Sequence, residues 1–215
     1  MDIYVDSANL KEIEAAKELG LADGVTTNPT LIAKEGGSMR EILGKIAKTV
    51  SGPVHAEVLN LEYAAILKEG RELAKIADNI VVKIPMLRDG LRAAKAFYEE
   101  GIPTNITLIF SPAQAILAAK AGATYVCPFL GRLDDIGHDG LLLLSQIRSI
   151  LDANPDLETK IIAASIRTPG HMIELSQMGI DILTAPSKVL QQMEKHPLTD
   201  QGIAAFIEDA KKFSA

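Results

Sequence analysis

The 215-residue sequence holds one cysteine, Cys127, and no tryptophan. A lone thiol excludes an intramolecular disulfide and points to a reducing, cytoplasmic setting. No apolar run approaches the ~18 residues that a membrane-spanning helix requires, so no membrane partner is expected. The opening MDIYVDSANL lacks a basic segment followed by an apolar one, and no signal peptide is read there. Runs of Lys and Arg are also missing, and the formal net charge is −6. Neither feature suits a chain that must neutralise a row of phosphates, so no nucleic-acid partner is expected. The four histidines, His55, His138, His171 and His196, show none of the short spacings of a metal site. No metal and no other cofactor is therefore implied. Linkers, low-complexity tracts and shifts of composition are absent too, so residues 1–215 are expected to form one domain.

What remains is ordinary globular composition, 47% hydrophobic and 23% charged, in a chain long enough to bury one sizeable core. Short apolar runs recur, each followed by a helical pattern. They lie at residues 3–5, 24–26, 54–59, 80–84, 104–110, 124–129, 161–166 and 180–184. Their mean spacing is roughly 25 residues, close to the ~30 of a strand–helix–strand unit. Between them, stretches such as 10–19, 62–76 and 113–121 carry apolar residues at three- and four-residue intervals. Asp89 is positioned to cap the helix that carries Phe97, and Gly20, Gly70, Gly122 and Gly179 fit helix ends. Eight such units predict an α/β fold, a single (β/α)8 TIM barrel, with an open doubly wound sheet as the alternative. The missing G-x-G-x-x-G after the first strand disfavours the open version. An additional C-terminal helix is predicted over about 199–213.

Strands of such a barrel are buried on both faces, so polar residues within them need a reason. Here they gather toward the C-terminal strand ends, where a barrel builds its active site. In strand order they are Asp6, Thr26 with Asn28, Glu57, Lys83, Asn105 with Thr107, Arg132, and Ser165 with Arg167. Alternation puts Asn105 and Thr107 on one face, and likewise Ser165 and Arg167. Lys83, within Asn79-Ile-Val-Val-Lys-Ile-Pro, is the sharpest of them. A lysine there loses hydration, which favours the neutral amine, a nucleophile toward carbonyls and a Schiff-base former. The competing reading is a lysine that snorkels from the strand end or pairs with a buried carboxylate. Asp6 and Glu57 offer two carboxylates for proton transfer, or a structural ion pair to Lys83. Arg132 and Arg167 follow the sixth and seventh strands, where barrels commonly hold phosphate. The acidic group Asp134, Asp135, His138 and Asp139 reads as a solvated loop with helix-capping aspartates, flanked by the turn residues Gly137 and Gly140. Cys127 lacks a basic partner and reads as a small buried residue, not a nucleophile.

Five blocks in this order, Gly24-Val-Thr-Thr-Asn-Pro-Thr, Ile80-Val-Val-Lys-Ile-Pro, Thr104-Asn-Ile-Thr-Leu-Ile-Phe, Tyr125-Val-Cys-Pro-Phe-Leu-Gly-Arg-Leu-Asp-Asp and Ala163-Ala-Ser-Ile-Arg, closely resemble the small-subunit transaldolases. That family also includes fructose-6-phosphate aldolases. The resemblance runs over nearly the whole chain and implies a (β/α)8 barrel with metal-free, class I aldol chemistry. By this likeness Lys83 forms a Schiff base with a donor ketose. Glu57 acts with Thr107 through a water, and Asp6 is general acid/base at the carbon–carbon bond. Thr26, Asn28 and Asn105 face the donor, Phe129 lines the site, and Arg132, Ser165 and Arg167 bind the sugar phosphate. The implied reaction moves a dihydroxyacetone unit between sugar phosphates, from sedoheptulose 7-phosphate to glyceraldehyde 3-phosphate, in the non-oxidative pentose phosphate pathway. Glu57 and Phe129 match the transaldolases, whereas the aldolases resemble Gln and Tyr there. The aldolase and a non-catalytic sugar-phosphate binding protein are the alternatives. Cys127 departs from the Ser that the family usually places before this Pro-Phe. A homo-oligomer, pentamer or decamer, is also implied, with the 199–213 helix reaching a neighbour.

Overall fold

A computed structural model describes residues 1–213; positions 214 and 215 of the predicted domain lie outside the described residues. Eight parallel strands close into a barrel in sequence order, from β1 to β8 and back to β1. They are β1 (Asp2–Asp6), β2 (Gly24–Thr26), β3 (Val54–Glu57), β4 (Ile80–Pro85), β5 (Thr104–Ile109), β6 (Tyr125–Pro128), β7 (Lys160–Ala163) and β8 (Ile182–Ala185). The closed (β/α)8 architecture is the predicted one, and the open sheet is excluded. Around it run α1 (Leu10–Glu18), α2 (Pro29–Glu35), α3 (Met39–Thr49), α4 (Tyr63–Ala74), α5 (Arg88–Glu99), α6 (Pro112–Lys120), α7 (Leu130–Asp134), α8 (Gly140–Asp152), α9 (Pro169–Gln177) and α10 (Ser187–Met193). The predicted additional helix is α11 (Pro197–Lys211), which buries none of its side chains. Among the described residues no helix is long and apolar enough to cross a membrane.

Alternation along the strands divides the apolar residues into two cores. Val5, Val25, Val54, Val82, Ile106, Val126, Ile161 and Leu183 join the large cluster beneath the helices. A small second cluster, Tyr4, Cys127, Ile162, Ala164 and Ile182, sits inside the barrel. Gly24 admits the Tyr4 ring, because a Cβ there would stand 2.6 Å from two ring carbons.

Three details differ from the sequence reading. Asp89 does not cap α5: it lies in the first turn, where its carboxylate accepts from the Tyr63 amide and pairs with Arg92. Gly70 ends no helix but is buried inside α4, since Gly20, Gly122 and Gly179 alone of the four take the positive φ of a helix stop. The seventh strand stops at Ala163, and Ser165 takes a left-handed φ of 61°. Alternation therefore does not govern Ser165 and Arg167.

Two mid-helix glycines, Gly44 in α3 and Gly70 in α4, should respond to alanine with opposite signs. At Gly44 the nearest obstacle to a Cβ is the Ile76 methyl at 3.8 Å, so Gly44→Ala should stabilise by up to about 1 kcal/mol through helix propensity. At Gly70 a Cβ would lie 2.5 Å from Phe97 Cζ and 3.1 Å from Val82 Cγ1. Overpacking of about 1–3 kcal/mol should then outweigh the propensity gain. Thermal unfolding of the two variants checks both signs.

Candidate active site

Register is what brings the polar residues together. Pairing across the barrel sets Asp6 opposite Thr26, Glu57 opposite Lys83, and Lys83 opposite Asn105. At the C-terminal mouth a cavity of about 240 Å³ is lined by Asp6, Thr26, Asn28, Lys83, Phe129, Arg132, Ser165 and Arg167. Eight of the eleven predicted site residues therefore share one wall. Glu57 pairs with Lys83, while Asn105 and Thr107 are fully buried, in register with Lys83 and Cys127. A larger concavity of about 640 Å³ opens at the other end of the barrel, and none of the predicted residues lines it.

Lys83 is 3% exposed. Its Nζ lies 3.0 Å from Glu57 Oε2 and donates to the Thr27 carbonyl at 2.8 Å. The buried ion pair that competed with the nucleophile reading is thus present, and the same contact gives the ammonium a partner able to take its proton. Asp6 accepts from the Thr26 hydroxyl at 2.8 Å, and Thr26 stands 2.6 Å from the Thr184 hydroxyl. Thr26 has one proton to give, so Thr184 donates to Thr26. Burial pushes the Asp6 carboxyl above its usual value near 3.8, against the pull of Lys83 and the Thr26 bond. The raised value makes its carboxylate a stronger proton acceptor than a solvated one.

Asn28 caps α2, accepting from the Leu31 amide at 3.0 Å. Asn105 Nδ2 lies 3.1 Å from His55 Nδ1, and its Oδ1 has no partner among the described residues. Thr107 lies beside Cys127, whose buried thiol is pushed up to about 11 by desolvation. That supports the inert reading of this cysteine. At the rim, Arg132 on α7 places its guanidinium carbon 4.8 Å from the centre of the Phe129 ring. Arg167 holds Asp135 at 2.8 Å. Gly131 lets these loops meet, because a Cβ would strike the Ser165 carbonyl and lie 2.7 Å from Arg167 Nε.

The aspartates of the acidic loop serve as caps and pairs. Asp139 caps α8, Asp134 accepts from the Gly140 amide, and Asp135 meets Arg167. Two inward residues escaped the sequence reading, His55 and Thr184. Both are polar residues inside buried strands, so the test that found Lys83 would also have found them.

A closed parallel barrel with a carboxylate-paired lysine and further polar side chains gathered at its C-terminal mouth has the arrangement of a barrel enzyme's active site. The family model for Transaldolase/Fructose-6-phosphate aldolase matches residues 3–215. Proteins named probable transaldolase are 52% identical over 214 residues in Leptospira biflexa, covering all of both chains. Another in Halalkalibacterium halodurans is 56% identical over 209 residues, 97% of this chain and 98% of its own. A third, in Caldicellulosiruptor saccharolyticus, is 54% identical over 212 residues, 99% of this chain and 98% of its own. The chain belongs to the transaldolase/fructose-6-phosphate aldolase family.

The raised Asp6 carboxyl makes a stability prediction with a defined sign. In the folded state ionisation is disfavoured, so above the folded value the charged carboxylate costs stability, and below about 3.8 the cost vanishes. Asp6→Asn should therefore raise Tm at neutral pH, with the gain shrinking as pH falls toward 4. Thermal melts of both proteins across that range read it out.

Proposed function

We propose that this chain is a transaldolase, with the Lys83–Glu57 pair as the observation that carries the reading. Glu57 takes a proton from the Lys83 ammonium across 3.0 Å, and the freed amine attacks C2 of a ketose phosphate. Water leaves, with Glu57 and Thr107 handling its proton, and an iminium remains on Lys83. Asp6 takes the proton of the C4 hydroxyl as the C3–C4 bond breaks, which releases an aldehyde and leaves an enamine. Its carbon then attacks a second aldehyde, Asp6 returns the proton, and water frees the new ketose.

Thr26 orients Asp6, and Asn28 and Asn105 hold donor hydroxyls. Ser165, Arg132 and Arg167 form the phosphate end, since guanidinium forks match phosphate oxygens. Phe129 favours transfer over simple cleavage, because it has no hydroxyl with which to protonate the waiting enamine. The substrates are sugar phosphates, as in sedoheptulose 7-phosphate and glyceraldehyde 3-phosphate giving erythrose 4-phosphate and fructose 6-phosphate. Exposed Ile203, Phe206 and Ile207 on α11 support a homo-oligomer, pentameric or decameric, in which that face is covered. The buried, unpaired Cys127 supports a cytoplasmic setting.

Purified protein should turn fructose 6-phosphate into sedoheptulose 7-phosphate only when erythrose 4-phosphate is added, as followed by mass spectrometry. Rapid free dihydroxyacetone without acceptor would mean an aldolase instead. Borohydride should trap a substrate adduct on Lys83, and Lys83→Ala should lose both adduct and transfer; a binding protein would leave no covalent mark.

The Gly131 contact separates the two ends of the site. Gly131→Ala should raise KM for phosphorylated donors by on the order of tenfold, a loss of about 1.4 kcal/mol. Borohydride trapping of unphosphorylated dihydroxyacetone on Lys83 should be unchanged.

A further inference from the structure

His55 is fully buried inside the barrel, on β3, and the reaction steps above do not use it. Its ring is set between two tyrosines, 5.6 Å from the Tyr4 ring centre and 5.0 Å from that of Tyr125, edge-on to the latter. Gly24 allows this clamp, since only a residue without Cβ leaves room for Tyr4. Among the described residues its one polar contact is Nδ1 to Asn105 Nδ2 at 3.1 Å, and its buried Nε2 has no partner. Asn105 in turn is the register neighbour of Lys83. The clamp therefore ends on the residue that pairs with Lys83 between β4 and β5.

An amide nitrogen only donates, so His55 Nδ1 must be the acceptor and the ring proton must sit on Nε2. A charged imidazolium has no lone pair and could not make this bond. Burial pushes His55 down to about 3, helped by the Lys83 charge, so the ring stays neutral through the working pH range. Of the groups around it, Lys83 is cationic, and the Tyr4 and Tyr125 phenols are both held above their usual range. With Nδ2 committed to His55, the other end of the amide is determined. Asn105 Oδ1 is buried and has no partner among the described residues. A buried carbonyl oxygen left unpaired costs about 1–3 kcal/mol, which a ligand donor can recover.

We infer that His55 is a positioning residue, whose Nδ1 lone pair holds the Asn105 amide so that Oδ1, an acceptor, faces a hydroxyl donor of the bound substrate. This rests on the transaldolase reading for the substrate, a polyhydroxy ketose, but not for the tautomer. Without His55 the amide can turn over and present Nδ2, a donor facing a donor. The ground-state complex, anchored elsewhere by Lys83 and the arginines, is less affected than the geometry of the iminium. The effect therefore falls on kcat more than on KM.

Two experiments test this. Protein labelled with 15N-histidine, in a variant where the other three histidines are glutamine, isolates His55 without altering it. The expected spectrum is an Nε2–H tautomer that does not titrate between pH 5 and 8. An Nδ1–H tautomer, or a titration near 6.5, overturns the inference. His55→Leu should lower kcat for transfer by about tenfold with KM changed less than about threefold, and His55→Gln, which keeps an acceptor, should recover part of the loss. Unchanged kcat in a folded His55→Leu also overturns it, and if that variant does not fold the spectrum alone decides. Wild-type protein assayed in parallel separates the two readings: no transfer by wild type defeats the transaldolase assignment and leaves the tautomer result standing.

Discussion

Burying a lysine–glutamate pair at the mouth of a closed barrel is the constraint from which the rest of the site follows. Removing two such charges from water costs several kcal/mol per ion, and the mutual attraction repays this only in good geometry. Here the geometry is a 3.0 Å contact supplemented by the Thr27 carbonyl at 2.8 Å. Both depend on register. Glu57 and Lys83 face one another because β3 and β4 pair in one alignment, and a slip of one residue would turn Lys83 into the helix layer. Barrel closure leaves no free edge along which a strand can slip. The ion pair thus demands the closed sheet, and the closed sheet is stabilised elsewhere, by the apolar layer under the helices.

The same positive charge organises the protonation of its surroundings. Asp6 and Cys127 are pushed up by burial, and Lys83 opposes that rise at both. At His55 burial and Lys83 act in the same direction and hold the ring neutral. The barrel interior is therefore graded. A neutral floor of Tyr4, His55, Tyr125 and Asn105 lies beneath an ionic upper layer of Asp6, Glu57 and Lys83. In a medium of low polarisability each of these fixed dipoles and charges acts more strongly than it would in water. The grading places proton-accepting and proton-donating groups around the cavity that Lys83 lines.

Much of this was legible in the sequence, for a simple reason. Strands buried on both faces tolerate few polar residues, so Asp6, Thr26, Glu57, Lys83, Asn105 and Thr107 stood out against their neighbours. The structure puts each of them at the mouth or directly beneath it. What could not be read was where regular alternation ends. Ser165 leaves the strand with φ 61°, and Leu108, with φ 59°, marks the register shift between β5 and β6. Left-handed backbone at a non-glycine residue has no local sequence signal, because the surroundings impose it. Gly70 misled for a related reason: glycine marks both helix ends and close packing, and only the Phe97 ring against α4 distinguishes the two. His55 shows no metal-site spacing, and its role as a buried acceptor lies in Tyr4, Tyr125 and Asn105, which only the fold assembles around it.

That division between regular and irregular backbone also divides the chemistry. The groups read as making and breaking the imine and the carbon–carbon bond all stand on strands, Lys83 and Asn105 paired on both sides and Asp6 and Glu57 on one. The groups read as holding phosphate stand beyond the strand ends: Arg132 on the short α7, and Ser165 and Arg167 on the loop packed against Gly131. Proton transfer tolerates little displacement, and strands supply that rigidity. A phosphate contact tolerates more and is served by long side chains at the exposed rim, where Arg167 pairs with Asp135. Substitutions in the loops can therefore change which phosphorylated sugar is held while the paired lysine, fixed by register, keeps the same reaction.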